Sequence, residues 1–213
     1  PNRSLAEYST QSEISQLKHL IRISDPEISK KTLFIWPEGI FYESTLQDIG
    51  KYKSLFSDKF SKNHLIILGI NNFSNSDDLK NQKYFNSLIL INHEAEILSV
   101  YNKVNLVPFG EFLPFEKILS KFGLKKITQG YNSFSAGDIR TTLNLGSKFD
   151  EKLILPLICY EIIYSGKIKK KNQFPDLVIN ISEDAWFGQS IGPYQHFSKA
   201  IYRSIEEGIF IAR

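Results

Sequence analysis

The chain is poor in sulfur: its 213 residues include one cysteine, Cys159, and no methionine. A lone thiol cannot form an internal disulfide. The cysteine count therefore does not indicate whether the protein works in an oxidising or a reducing compartment. Because a natural product of this length should begin with methionine, we expect the chain to be a piece of a longer one. It also lacks any apolar run near the roughly 20 residues that a membrane-spanning helix needs. This absence says nothing about the parent protein.

Strong charge and metal-binding patterns are missing as well. The net charge of +3 at pH 7 is too mild to predict a nucleic-acid partner. The histidines at 19, 64, 93 and 196 lack the paired spacing of a zinc site, and no glycine-rich phosphate loop occurs. We therefore expect no metal and no cofactor. With 42% apolar residues, the chain is long enough to form a globular domain with a real core.

Apolar runs of strand length alternate with segments of helical periodicity. We predict helices at 14–23, 45–60, 161–171 and 193–207, and strands at 32–36, 64–70, 141–145, 153–158, 177–182 and from 210 on. Residues 85–92 and 96–101 read as a hairpin, and 102–137 as a long irregular segment. This order predicts an α/β layered fold with a mixed sheet, as one domain over 1–213.

The single cysteine follows a strand, Leu153–Ile158, where we expect a sharp turn into a helix. Such a turn exposes its side chain at the edge of the sheet, and the N-terminus of the following helix would stabilise a thiolate, the form that attacks carbonyl carbon. Unpaired cysteines are more often buried and inert. From this stretch alone, both interpretations stay open.

Two other reactive groups also come directly after predicted strands. Glu38 follows residues 32–36, and Lys103 follows residues 96–101. Since strand ends meet at one edge of an α/β sheet, a carboxylate, an ammonium and the Cys159 thiol can form an acyl-transfer site. The carboxylate would take the thiol proton, and the ammonium would stabilise the oxyanion.

Each group also has an ordinary structural explanation when it is taken singly. Glu38 would cap the helix that follows it, and Lys103 would be a surface lysine in a turn. Glu111 would be a loop charge, and Glu161 an acidic residue favoured by a helix dipole. Only their occurrence together favours a catalytic site.

Longer strings around these residues resemble the nitrilase, or carbon–nitrogen hydrolase, superfamily. The strings that carry the resemblance are 36–38 (Trp-Pro-Glu), 101–103 (Tyr-Asn-Lys), 106–111 (Leu-Val-Pro-Phe-Gly-Glu), 159–161 (Cys-Tyr-Glu), 184–188 (Asp-Ala-Trp-Phe-Gly), 192–193 (Gly-Pro) and 195–196 (Gln-His). Four of these strings, 106–111, 184–188, 192–193 and 195–196, are similar to the bacterial apolipoprotein N-acyltransferase branch. Glu183 replaces the asparagine usual beside Asp184. The resemblance covers residues 32–213.

The resemblance implies an α-β-β-α sandwich with mixed sheets, here truncated at both ends, since a first strand, the last strands and the membrane-spanning part of the parent are missing. It implies transfer of an acyl chain from a phospholipid, through a cysteine thioester, to the N-terminal amine of a diacylglyceryl-cysteine on an apolipoprotein. The implied location is the bacterial inner membrane, with this domain on its periplasmic side.

The resemblance also implies residue roles. Glu38 is the general base, Lys103 the oxyanion stabiliser and Cys159 the nucleophile, with Glu111, Glu161 and Tyr160 close by. We expect Glu38 to be partly desolvated beside Lys103. The apolar side chains of 109–122, Phe109, Phe112 and Leu113 among them, are either core residues or a lid that touches the bilayer; the same question arises for Trp186.

Two other functions remain open alternatives at this stage. A soluble nitrilase-type amidase would use the same three residues with water as the acceptor. A catalytically silent module would bind lipid or a partner protein on the same fold, although the intact Glu38, Lys103 and Cys159 argue against it.

Overall fold

The computed structural model describes residues 12–74, 82–115, 133–166 and 174–213, with Trp186 described by its backbone only. Within these ranges the structure has two sheets. The first contains five strands: β1 (Thr32–Ile35), β2 (Phe41–Thr45), β3 (His64–Phe73), β4 (Tyr84–Asn92) and β5 (Ile97–Asn102). Strands β1 and β2 pair parallel to β3, whereas β3–β4 and β4–β5 are antiparallel, so the sheet is mixed.

The second sheet has four strands and is mixed as well. Its strands, in spatial order, are β6 (Leu143–Asn144), β7 (Leu153–Ile158), β8 (Leu177–Ile181) and β9 (Ile211–Ala212). The β6–β7 pair is antiparallel, and the β7–β8 and β8–β9 pairs are parallel. Because β7 and β8 run in the same direction, the residues that follow them emerge at the same edge of the sheet.

Alternation of side chains along the strands builds four layers. On β3, Ile66 and Leu68 pack in a cluster with Leu17 of helix α1 (Glu13–Ser24), whereas Leu65 and Ile67 face the second sheet. On β7, the even-numbered Ile154 and Ile158 face the first sheet. The odd-numbered Leu155 and Leu157 pack with Ala200 of helix α3 (Gly192–Glu207). Period-two burial on both faces thus gives an α-β-β-α sandwich.

Most of the predicted elements are confirmed, but two helices are not. The segment predicted as a helix over 45–60 forms a 3₁₀ helix (Leu46–Tyr52) followed by the short helix α2 (Lys53–Ser57), and β2 precedes them. The helix predicted over 161–171 is only a 3₁₀ turn, Cys159–Ile163, and Tyr164 is already extended; residues 167–171 lie outside the described ranges. Tertiary hydrogen bonds to the Glu161 carboxylate shape this turn and override its helical pattern.

Candidate active site

Close backbone contact between β1 and β3 positions Glu38. Beyond the end of β1, the chain stays hydrogen bonded to β3, through Trp36 N to Ile67 O (2.8 Å) and Gly69 N to Pro37 O (3.2 Å). A Cβ atom on Gly69 would lie 2.7 Å from the Glu38 Cα atom. Gly69 therefore allows the backbone of Glu38 to approach β3 as closely as the site requires.

This contact gives a testable prediction. Gly69→Ala should displace the Glu38 backbone, because a Cβ at 2.7 Å from another backbone atom cannot be accommodated without a shift. A displacement of about 1 Å in a catalytic group costs about 100-fold in rate. We expect thioester formation at Cys159 to slow by about that factor, and the free energy of unfolding to fall by about 1–3 kcal/mol.

Gly50→Ala is the matched control, because nothing lies within 4 Å of the position of its Cβ atom. Its rate should equal that of the wild type, and its stability should be equal or slightly higher. A Gly69→Ala variant with the wild-type rate would show that this close approach does not set the position of Glu38.

A buried lysine lies between two carboxylates. Lys103 is 1% exposed, and its Nζ donates a hydrogen bond to Glu111 Oε1 (2.8 Å) and lies 3.9 Å from Glu38 Oε1. Burial by itself would lower the pKa of Lys103, but the negative charges of Glu38, Cys159 and Glu111 raise it above its ordinary value. Lys103 therefore stays an ammonium, suited to stabilise an oxyanion and unsuited to act as a base.

Asn86 on β4 joins the same two carboxylates and was not predicted from the sequence. Its Nδ2 donates hydrogen bonds to Glu38 Oε1 (2.7 Å) and Glu111 Oε1 (2.9 Å), and its backbone carbonyl accepts from Lys103 N (2.8 Å). Asn86 thus binds both acids through its side chain and the backbone of Lys103 through its own carbonyl. A half-buried amide beside the apolar run Leu88–Ile91 of the same strand was the sequence signal that could have found it.

Glu38 is a buried carboxylate with a raised pKa. Burial raises the pKa of Glu38 above its usual value, while the Lys103 charge and the Asn86 hydrogen bond oppose this shift. The other oxygen, Oε2, accepts from Glu183 N (3.1 Å), two residues beyond the end of β8. A carboxylate with increased proton affinity and a fixed orientation is a suitable general base.

Cys159 lies at the sharp turn after β7, as expected. Its φ angle is +50°, in the left-handed region that non-glycine residues rarely adopt. Such a turn lifts a nucleophile out of the strand direction, as in other acyl-transfer enzymes. Burial raises the pKa of the Cys159 thiol, the Glu38 charge raises it further, and Lys103 opposes the shift. This shift favours the neutral thiol. The element that follows is a 3₁₀ turn of five residues, Cys159–Ile163, so the expectation of a thiolate stabilised by a helix N-terminus is wrong.

Glu161 and Tyr160 follow the cysteine, and Glu161 faces a different set of groups. Glu161 is fully buried, and its carboxylate accepts from Tyr101 Oη (2.8 Å), Arg140 (3.2 Å) and the backbone N–H groups of residues 104, 105 and 158. Glu161 thus ties the turn after β7 to the segment after β5 that carries Lys103. The Tyr160 ring packs edge-on against Tyr164, with centroids 6.2 Å apart.

The predicted lid residues divide into exposed and buried side chains. Phe109 is 48% exposed and has a left-handed backbone (φ 63°), and Phe112 is half-buried. Leu113 is 6% exposed, so its side chain belongs to the core, and the expectation that it touches a membrane is wrong for this conformation. Trp186 lies in the turn Asp184–Phe187, but its side chain lies outside what the structure describes. Residues 116–122 of the predicted lid also lie outside the described ranges.

The described ranges hold neither a metal-binding cluster nor a membrane-spanning helix. Within them, no group of three or more His, Cys, Asp or Glu side chains is arranged to hold a metal ion. Over the same residues, no helix is both long enough and apolar enough to cross a bilayer.

The four-layered fold, with Glu38 and Lys103 following strands of one sheet and Cys159 following a strand of the other, is typical of one class of enzymes. The chain belongs to the carbon–nitrogen hydrolase family, which it matches over residues 51–213. It is 34% identical over 199 residues to the apolipoprotein N-acyltransferase of Bradyrhizobium diazoefficiens, an alignment that covers 90% of this chain and 36% of that protein. It is 43% identical over 129 residues to the enzyme of the same name from Rhodopseudomonas palustris, covering 61% of this chain and 24% of the relative.

Solved structures support the fold. A CN-hydrolase superfamily protein from Xanthomonas campestris matches with a TM-score of 0.60 at 15% identity, over 94% of this chain and 69% of that one. A nitrilase-superfamily protein from Saccharomyces cerevisiae matches with a TM-score of 0.57 at 17% identity, over 95% and 69%. The predicted nitrilase-like fold is confirmed. The chain spans about a third of the length of the curated relatives it matches.

Proposed function

We propose that the chain is the acyl-transferring part of an apolipoprotein N-acyltransferase, with Glu38 as general base, Lys103 as oxyanion stabiliser and Cys159 as nucleophile. The observation that carries this proposal is the buried Lys103 ammonium, held 2.8 Å from Glu111 and 3.9 Å from Glu38 and coupled electrostatically to the thiol. The relatives' shared name supports the choice of acceptor.

In the first step, Cys159 Sγ attacks the ester carbonyl carbon of a phospholipid while Glu38 takes the thiol proton. Because the thiol has a raised pKa, this proton must leave as the S–C bond forms. The tetrahedral oxyanion forms beside the Lys103 ammonium. When it collapses, the C–O bond breaks, Glu38 returns its proton to the departing lysophospholipid alcohol, and the acyl chain remains as a thioester.

In the second step, the α-amine of a diacylglyceryl-cysteine attacks the thioester. Glu38 takes a proton from the amine, the C–S bond breaks, and Sγ leaves and recovers the proton from Glu38. The product is an amide, and the free thiol is regenerated. Thioesters react readily with amines, and exclusion of water protects the intermediate from hydrolysis.

The substrates of this reaction place the site at a lipid surface. The half-exposed Phe109 lies two residues before Glu111 and the 79% exposed Phe115 four residues after it, and they give this side of the site an apolar surface. We assign Phe109 and Phe112 to a lid that contacts acyl chains, and we place the domain at the periplasmic face of the bacterial inner membrane. Charged residues at both positions should slow transfer from lipid in vesicles without changing reaction with a water-soluble ester.

The test uses the full-length protein in detergent with a phospholipid carrying a labelled acyl chain. Intact-mass spectrometry should show Cys159 gaining the mass of the acyl chain, and a diacylglyceryl-cysteine peptide should then discharge it as an N-acylated product. Cys159→Ala should abolish both events while it remains folded. Release of ammonia from small amides without transfer to the peptide would favour the amidase, and an unreactive thiol would favour the silent binding module.

The pH dependence of thioester formation gives a further prediction. The rate should rise with pH through the raised pKa of Glu38, because only the ionised carboxylate accepts the thiol proton. Burial is the main cause of that raised pKa, and the Glu111 charge adds to it. Glu111→Gln removes this charge, so the acidic limb of the rate profile should move to lower pH.

Glu94→Gln, at an exposed glutamate paired with Lys53 at 3.7 Å, is the control and should leave the profile where it is. An acidic limb that stays in place, or moves to higher pH, in Glu111→Gln would contradict the assignment of Glu38 as the base.

A further inference from the structure

A second buried network holds the backbone of the nucleophile, and the proposed reaction has not used it. The Cys159 carbonyl oxygen accepts two side-chain hydrogen bonds, from Asn180 Nδ2 (3.1 Å) and His196 Nε2 (3.1 Å). Asn180 at the end of β8 is 1% exposed, and His196 on α3 is 4% exposed. Side chains from two elements, β8 and α3, therefore bind the carbonyl of Cys159, the residue with the left-handed backbone.

The acceptor at Nε2 decides which nitrogen of His196 carries the proton. The Cys159 carbonyl oxygen can only accept, so the hydrogen bond at Nε2 requires an Nε2–H group. On the other side of the ring, His196 Nδ1 lies 2.8 Å from the NH2 nitrogen of Arg213 and 3.1 Å from Asp184 Oδ1. The same Arg213 nitrogen lies 2.9 Å from both carboxylate oxygens of Asp184, and this ion pair keeps the guanidinium in place. We assign the proton to Nε2, and Nε2–H therefore donates to the Cys159 carbonyl.

Holding this carbonyl also fixes the next N–H group. The peptide bond between Cys159 and Tyr160 is planar and trans, since the described residues contain no cis peptide, so its C=O and N–H point in opposite directions. Tyr160 is the second residue of the 3₁₀ turn, and its N–H has no partner within that turn. In acyl-transfer sites, the N–H of the residue after the nucleophile is well placed to receive the oxyanion.

We propose that His196, oriented by Arg213 and Asp184 and assisted by Asn180, is a positioning residue that aims the Tyr160 N–H at the oxyanion as a second donor beside Lys103. This inference rests on the proposed function, because it concerns the same tetrahedral intermediate. A left-handed conformation is unfavourable for a non-glycine residue, so the surrounding groups must hold it in place.

The experiment compares two reactions of the same thiol in the full-length protein. Acylation of Cys159 by a p-nitrophenyl ester passes through an oxyanion, whereas alkylation by iodoacetamide displaces iodide at carbon and does not. His196→Leu removes the donor, and His196→Gln keeps an N–H at similar reach. We expect Cys159 of the His196→Leu variant to be acylated about 30- to 100-fold more slowly than that of the wild type. Removing a whole oxyanion donor costs about 100- to 1,000-fold in rate, so the expected loss is at or below the lower end of that range. Alkylation should stay within about threefold of the wild type, and His196→Gln should recover most of the acylation rate.

Arg213→Leu tests the same network without changing His196, so the proposal remains testable if the His196→Leu variant does not fold. Without the arginine, Asp184 Oδ1, which lies 3.1 Å from His196 Nδ1, favours the tautomer that carries the proton on Nδ1 and leaves Nε2 without a hydrogen, so acylation alone should fall by about tenfold. If acylation and alkylation fall by the same factor, the network only supports the structure and the proposal is overturned. Unchanged acylation in a folded His196→Leu variant would also overturn it.

Failure of the proposed function remains distinguishable from failure of this inference. The ester and iodoacetamide report on Cys159 whichever natural donor or acceptor the protein uses. If wild-type Cys159 acylates with the ester but never transfers an acyl chain from phospholipid to the lipopeptide, the proposed function fails, while the comparison of the two reactions still decides the role of His196.

Discussion

Lys103→Met should lower the rate of thioester formation by at least about 1,000-fold and the free energy of unfolding by about 3–5 kcal/mol. The rate falls because the oxyanion loses the ammonium beside it. Stability falls because Glu38 and Glu111 remain buried, 11% and 12% exposed, and lose the cation between them. Thiol acylation followed by mass spectrometry and unfolding in urea measure the two effects separately.

A double variant separates the charge effect from the catalytic effect. Lys103→Met with Glu111→Gln removes one of the two uncompensated carboxylates, so part of the lost stability should return while the rate stays low. Lys152→Met is the matched control, since this lysine is 54% exposed and paired with Asp176 at 2.7 Å. A pair so exposed contributes at most about 1 kcal/mol. A Lys103→Met variant that acylates within tenfold of the wild type would remove Lys103 from the mechanism.

Glu161→Gln should be the most destabilising of the conservative changes, with a loss of about 3 kcal/mol in the free energy of unfolding. The carboxylate is fully buried and accepts hydrogen bonds from Tyr101, Arg140 and three backbone N–H groups. An amide of the same shape offers one acceptor oxygen and places an NH2 group against donors. It also leaves the buried Arg140 guanidinium without its counter-ion.

Activity should fall in this variant because the turn of Cys159 and the segment of Lys103 are no longer held together. Acylation and iodoacetamide alkylation should therefore decline together, unlike the selective loss expected at His196. Glu27→Gln, at an exposed glutamate paired with Lys30 at 2.7 Å, should leave stability within about 0.5 kcal/mol. Wild-type stability in Glu161→Gln would mean that this carboxylate does not tie the two segments.

The strand ends were predictable from the sequence because burial on both faces leaves a plain signal. The runs 32–36 and 153–158 are apolar without strict alternation, and Glu38 and Cys159 come just after the strands that they form. Helix α3 was predicted to within one residue at its start, from Pro193 to the observed Gly192. The tight 3₁₀ segments were missed, since their apolar spacing resembles that of a longer helix.

The site itself was only partly predictable. The chemistry of Glu38, Lys103 and Cys159 can be read from residue types and order, but the partners that orient them are distant in sequence: Asn86 is 48 residues from Glu38, and His196 is 37 residues from Cys159. Glu111 and Glu161 were both predicted to lie near the thiol; Glu111 contacts Lys103, whereas Glu161 binds Tyr101 and Arg140. No local pattern encodes such pairings.

The sequence by itself determined the layers and the reactive groups, because period-two burial and strand ends are local properties of the chain. Tertiary structure alone decided how these groups ionise. Burial between two sheets raises the pKa values of Glu38 and Cys159, and two flanking charges keep Lys103 protonated against that burial. Desolvation and charge pairing depend on the three-dimensional distances between groups, and these exist only once the sheets have packed.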